Sequence, residues 1–162
     1  MPPIWEEFNT PGCIMSSMAP LPEELKQLKR FHGHLGPWVV IGYRMGEIAR
    51  ENLEERMWAV SFSGSKVPLS CMVDGIQFSS GCTMGKGNIS IQEKDEAKAH
   101  FFDTKHLLEV KLHEEVMDRI KASCTKDTEE IIALGLFNEA EERLFAVTRV
   151  ESDIHERTVK LR

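Results

Sequence analysis

The segment FHGHLGPW at residues 31–38 sets His32 and His34 one residue apart and brackets them with Gly33, Gly36 and Pro37. Side chains at i and i+2 cannot share a helix face, but they can converge from a strand or a loop. Imidazole is the commonest protein metal ligand, and thiolate is the other strong ligand for zinc-like ions. A tight, fixed turn would hold both rings in place. The plainer reading is a pair of surface histidines at a helix junction. A helix opening at Pro37 would also present free N–H groups, a natural seat for an anion or a carboxylate.

A second segment, SCMVDGIQFSSGCTMGKGN at residues 70–88, carries two cysteines, a carboxylate, a lysine and several glycines. Cys71 falls at a predicted helix N-terminus, where the dipole would lower a thiol's pKa and favour thiolate. Its alternative is a small buried hydrophobe. Cys82 falls in a glycine-rich loop, which suits ligation or reactivity better than burial. Asp74 and Gln77, three apart, would face the same cleft as Cys71, although Asp74 could equally hold a neighbouring loop. Lys86 follows Gly85, but Gly81 and Gly85 enclose only three residues and Gly87 follows the lysine. This is not a phosphate-binding Walker loop. The turn could still cup an anion through its N–H groups, or serve only as a tight connection. Cys13 and Cys124 lack such company and read as buried thiols. No C-x-x-C pair occurs, which excludes a four-thiolate zinc finger.

The elements that must position these residues follow from periodicity. Residues 1–21 carry four prolines and no clear period, which predicts an extended arm. Its Ile4, Trp5 and Phe8 suit docking on a partner molecule. Residues 22–162 form one domain. A short helix is predicted from Pro22, with acids in its first turn and bases in its last. A long one runs from Pro37, with apolar residues at 41, 45, 48, 49 and 53. Its Ile41, Met45, Ile48 and Leu53 face should pack on a sheet. Gly42 and Gly46 form a small-residue stripe suited to close two-fold contact. A strand over residues 57–64 and a helix from Cys71, weakened by Gly75, come next. Strands at 88–94, 98–104 and 106–112 read as an antiparallel meander. Two helices follow, the second capped by Asp127 or Thr128 with Glu130 as capping-box acid, and then a final strand at 142–151. Helices first and hairpin-linked strands later predict an α+β fold, with helices on a mainly antiparallel sheet.

The chain has 162 residues, 41% hydrophobic and 28% charged, which suits one globular domain with a real core. A net charge of −6, with bases and acids interspersed, argues against nucleic-acid binding. The longest apolar run, WVVIGY, is far short of a membrane span. The first basic residue is Lys26, so no secretory n-region is seen, and reduced thiols in a cytoplasm are expected.

Together, FHGHLGPWVVIGYRMG and CMVDGIQFSSGCTMGKGNI closely resemble the two signature segments of the FmdE-like family, named for the E-subunit of formylmethanofuran dehydrogenase. The resemblance runs from about residue 22 to the closing ERLFAVTRVE. It implies an α+β core that often dimerises and holds zinc or another divalent transition metal. By matching position, His32, His34, Cys71 and Cys82 take the metal expectation. His32, Cys71, Asp74 and Lys86 take catalytic roles, with Gln77, Thr83 and Lys86 binding a cofactor. Many members read His-Gly-His-x-Cys-Pro-Gly, whereas this chain has Gly36 and Trp38 in place of that cysteine and glycine, so one thiolate is missing. The implied function is a metal-binding protein, or metal-dependent enzyme, of one-carbon or related redox metabolism. The alternative is a non-catalytic accessory protein for a molybdenum or tungsten oxidoreductase or its metal cofactor.

Overall fold

The structure is a computed structural model that describes residues 20–151. It contains α1 (Glu23–His32), α2 (Pro37–Asn52), β1 (Trp58–Ser61), α3 (Cys71–Ser80), β2 (Ile89–Ile91), β3 (Lys98–Phe102), β4 (His106–Leu112), α4 (Glu114–Ser123), α5 (Glu129–Asn138), α6 (Glu141–Leu144) and β5 (Phe145–Glu151). These form one α+β domain with a five-stranded sheet in the order β2-β1-β3-β4-β5. The expected arm, with Cys13, Ile4, Trp5 and Phe8, lies outside the described residues apart from Pro20 and Leu21. No helix among the described residues is long and apolar enough to cross a membrane.

Local chemistry sets the helix ends. Glu23 and Glu24 open α1, and Gly33 closes it at φ 101°, its N–H bonded to Lys29 O. Only glycine adopts that left-handed conformation without strain. The turn releases the chain into His34, Leu35 and the extended Gly36, and Pro37 then starts α2 as its first residue. The expected cap of α5 differs. Thr128 makes no side-chain cap bond to its own helix; its hydroxyl donates to Ser123 O and accepts from Thr125 N. Glu130 turns outward to Lys29 at 2.9 Å.

Periodicity predicts one apolar stripe for the long helix. Instead α2 is buried almost all round from Pro37 to Ala49, with Arg44 and Glu47 as the exceptions. It packs against α3, α5 and the sheet, so three neighbours demand three apolar faces. Ile41, Met45 and Ile48 are buried as expected, and Leu53, just past the helix, is half-buried. Arg44 reaches from α2 to the end of α5 and donates to the carbonyls of Leu136, Phe137 and Glu139, each at 2.9 Å. Those are the groups a helix C-terminus leaves unpaired.

The glycines of α2 and α3 explain how closely these helices lie. A Cβ added to Gly42 would sit 2.0 Å from Met72 O, one at Gly46 1.9 Å from Ser79 Oγ, and one at Gly75 2.0 Å from Val39 O. The Gly42–Gly46 stripe is therefore spent inside the chain and is not free for a second copy. Gly75, which weakens α3 as an isolated helix, is what lets α3 dock.

The expected three-strand meander is half correct. β3 and β4 form an antiparallel hairpin, and β4 pairs antiparallel with β5. β2 instead pairs with β1 in parallel, and β1 separates it from β3. The cause is the connection: β1 returns to β2 through α3, and a crossover helix delivers a parallel strand. Buried Ala59, Ala99, Phe101, Leu108 and Val110 supply the sheet's contribution to the core. Each large apolar side chain so buried is worth about 1.5–3 kcal/mol.

Candidate functional site

The break between α1 and α2 and the start of α3 meet in one cleft of about 480 Å³, lined by His32, His34, Pro37, Pro68 and Cys71 among others. His32 ends α1, and its Nδ1 lies 2.6 Å from Asp74 Oδ2, one turn into α3. The carboxylate accepts, so Nδ1–H donates, and in the neutral ring Nε2 keeps its lone pair. That Nε2 is buried and has no hydrogen-bond partner among the described residues. The side chain as a whole is 9% exposed. A buried imidazole nitrogen, oriented by a carboxylate on the far side of the ring, is the arrangement of a prepared metal ligand or proton acceptor.

His34 is exposed and lies against His32, with ring centroids 4.7 Å apart. A Cβ at Gly36 would lie 3.3 Å from His34 Nε2 and 3.8 Å from Glu129 Oε2. Gly36 thus leaves room for the His34 ring beside the first turn of α2. Asp74 also accepts weakly from Gln77 Nε2 at 3.5 Å.

Cys71 lines this cleft half-buried, but its thiol is not activated as its place at a helix start suggests. Burial, and then the Asp74 charge, push its pKa up. The helix dipole has little left to offer, because the N–H groups of Cys71, Met72 and Val73 are taken by the carbonyls of Pro68, Leu69 and Ser70. The same cleft gathers residues that local sequence did not flag: Lys66, Lys121, Cys124 and Glu129. Cys124 comes from the α4–α5 connection and Glu129 opens α5, both far away in the chain. Only the tertiary fold brings them here, and no spacing signal could have revealed them.

The other end of α3 is built differently. Ten helical residues span about 15 Å, so Cys82 lies remote from Cys71. It lines a separate groove with Lys86 and Asn88. Cys82 is fully buried, with Sγ 3.6 Å from Met57 O. Burial pushes its pKa up against the opposing Ser80 bond and Lys86 charge. Gln77 Oε1 accepts from Met84 N, Thr83 Oγ1 from Lys86 N, and Asn88 Oδ1 from Thr83 N. The glycine-rich loop thus satisfies its own polar groups. Of the residues expected to act together, the structure gathers His32, His34, Cys71 and Asp74, with Gln77 at the margin. It sets Cys82, Thr83 and Lys86 apart from them.

Among the described residues no three His, Cys, Asp or Glu side chains form a group that could hold a metal ion. The orphaned His32 Nε2 and the His34 ring beside it are donors of the type a zinc-like ion takes, and the Cys71 thiol lies on the same cleft wall, but the three do not form a ligand group as they stand. They do not fit a closed cage.

Comparison with known proteins agrees with this architecture. A curated protein of Archaeoglobus fulgidus, described as "Probable S-adenosyl-L-methionine-binding protein", is 36% identical over 70 residues. That match takes in 40% of this chain and 19% of the relative, so the chain spans about a fifth of it. The crystal structure of a tungsten formylmethanofuran dehydrogenase FmdE-like protein from Syntrophus aciditrophicus superposes with a TM-score of 0.63 at 22% identity. It covers 83% of this chain and 73% of that one, and it supports the fold. The family model described as "FmdE, Molybdenum formylmethanofuran dehydrogenase operon" matches residues 31–155, from the first histidine segment to just beyond β5. This chain belongs to the FmdE family.

Proposed function

We propose that this chain is a cytoplasmic, homodimeric metal-binding protein. It would hold zinc or another divalent transition metal in the cleft between the α1–α2 turn and α3 and serve one-carbon or related redox metabolism. The observation that carries the reading is His32 Nε2, buried, aimed by Asp74 and without a partner among the described residues. Leaving such an atom unsatisfied costs on the order of 1–3 kcal/mol, a cost a ligand would remove. His32 would be the anchoring ligand, with His34 and Cys71 as the candidates beside it. Asp74 would act through His32, fixing its tautomer and the orientation of its ring. When bound, such an ion supplies Lewis acidity or an activated water.

A second reading is favoured by the open donor set. In it the chain is a non-catalytic accessory protein that presents a metal, or a metal-bearing cofactor, to a molybdenum or tungsten oxidoreductase. Protein purified without an affinity tag decides the first point. Wild type should hold zinc after incubation and desalting, and His32→Ala should not. Asp74→Asn should bind about 10–100-fold more weakly. Folded variants that match the wild-type stoichiometry and affinity would remove these residues from the site. Wild type that takes up no ion would overturn the metal reading. Co-purification with a large oxidoreductase, without turnover by the isolated chain, would select the accessory role.

A further inference from the structure

The start of α2 is an uncapped helix end inside the cleft. Gly36 is its N-cap and has no side chain to accept a hydrogen bond, the first turn carries no acid, and Pro37 has no N–H. The first helical bond, Val40 N to Gly36 O, is long at 3.4 Å. Trp38 N and Val39 N have no hydrogen-bond partner among the described residues. Both residues are buried, and both line the cleft. Buried N–H groups without partners are rare, and a helix start adds a partial positive charge to them. Glu129 Oε2 comes near, 3.8 Å from the place of a Cβ on Gly36, yet no hydrogen bond joins it to either group. The same cleft holds the unpartnered His32 Nε2, on a side chain only 9% exposed. Two separate elements thus present unsatisfied polar groups to one space of about 480 Å³. Lys66 and Lys121 on its lining are matched in number by Asp95 and Glu129, so the helix end decides the sign of the ligand. Much of the remaining wall is apolar. Leu69 and Ile120 contribute to it, as does Val67, at 79% the most exposed large apolar side chain among the described residues.

We infer that this cleft takes a small organic carboxylate, with its oxygens on the N–H groups of Trp38 and Val39 and its apolar body against Val67, Leu69 and Ile120. An anion at a helix start accepts from the free N–H groups and meets the positive end of the helix dipole. Inorganic phosphate would satisfy the same groups but leave the apolar wall in water. A neutral molecule of the same shape would cover the wall and forgo the charge. The inference rests on the reading of this cleft as the binding site and names a second kind of ligand for it; it does not need the ion.

Calorimetric titration of the full chain with phenylacetate tests it, on protein treated with EDTA and on protein incubated with zinc. Phenylacetate should bind saturably, and its neutral amide, phenylacetamide, about tenfold or more weakly. Acetate, which lacks the apolar body, should also bind more weakly. Gly36 is extended at φ −126°, so an Asp there can cap the helix and fill the N–H groups of Trp38 and Val39 with its own carboxylate. Gly36→Asp should therefore melt at or above the wild-type temperature, yet bind phenylacetate about tenfold or more weakly than Gly36→Ala, which adds bulk without a cap. Phenylacetate and phenylacetamide bound alike, or inorganic phosphate bound more tightly than phenylacetate, would overturn the ligand class. Equal binding by Gly36→Asp and Gly36→Ala would overturn the helix end as its seat. Zinc uptake by a wild type that binds no phenylacetate overturns this inference and leaves the metal reading standing. Phenylacetate binding without zinc uptake does the opposite.

Discussion

The two ends of α3 are built on opposite plans. At its first turn, Cys71 and Asp74 lie beside a cleft in which His32 Nε2 has no partner among the described residues. Just past its last turn, Cys82 is sealed from solvent, and Gln77, Thr83 and Asn88 tie down the glycine-rich loop. One continuous signature segment thus serves two purposes. Its beginning supplies Asp74, which orients a His32 ring whose Nε2 has no partner among the described residues. Its end spends its polar groups on holding the chain between α3 and β2. A cysteine in a glycine-rich stretch is therefore no guide to reactivity until its neighbours are known.

The change that should break both ends together is Gly75→Ala. The new methyl would meet Val39 O at 2.0 Å and Tyr43 N at 2.4 Å, both backbone atoms that cannot step aside without moving α2. Urea denaturation should show a loss of about 3–5 kcal/mol, with zinc binding lost wherever the fold is lost. Wild-type stability would mean that the helices are not in the contact described.

Asn88→Ala separates the two ends. Asn88 accepts from Thr83 N at 2.8 Å and donates to Met57 O at 3.1 Å, so truncation takes the side-chain acceptor from Thr83 N and leaves Met57 O the Cys82 thiol as its side-chain donor. The expected cost is about 2–3 kcal/mol in the same denaturation experiment, with zinc affinity of the folded protein unchanged. A variant that keeps its stability but loses zinc would reverse the roles assigned to the two ends.

The smallest effect is chemical. Cys71 is half-buried with a pKa pushed above the ordinary 9.0, first by burial and then by Asp74. Its alkylation by iodoacetamide should be slow at pH 7 and climb only above pH 9, because the thiolate is the nucleophile. Removing the Asp74 charge in Asp74→Asn lowers that pKa, so labelling at pH 8 should quicken a few-fold. Cys82, fully buried, should stay unlabelled in the native protein. Peptide mass spectrometry reads both sites, and faster labelling of Cys82 than of Cys71 would contradict the comparison.

Much of this was legible in the sequence where local chemistry decides. Pro37 and Gly33 mark their helix ends, and the i, i+2 histidines do sit at a helix junction facing α3. What escaped depends on distant partners. The parallel pairing of β1 with β2 follows from α3 crossing between them, which alternation within a strand cannot reveal. Gly42 and Gly46 signal close approach, but not whether the approaching backbone belongs to the same chain. A helix start suggests an activated thiol at Cys71 only until the preceding turn takes up the N–H groups. Cys124 reaches the cleft from the α4–α5 connection and Glu129 from the start of α5, and neither carries a motif.

The state of the His32 ring is the most direct measure of the open end. Nitrogen-15 spectra of histidine-labelled protein should show His32 with Nδ1 protonated, as the 2.6 Å bond to Asp74 requires, and Nε2 bare, as a metal ligand must be. On addition of zinc, the Nε2 resonance should move while Nδ1 keeps its proton. An Nε2 that carries the proton, or one that zinc leaves unmoved at saturating concentration, would contradict the assignment of this cleft as the binding site.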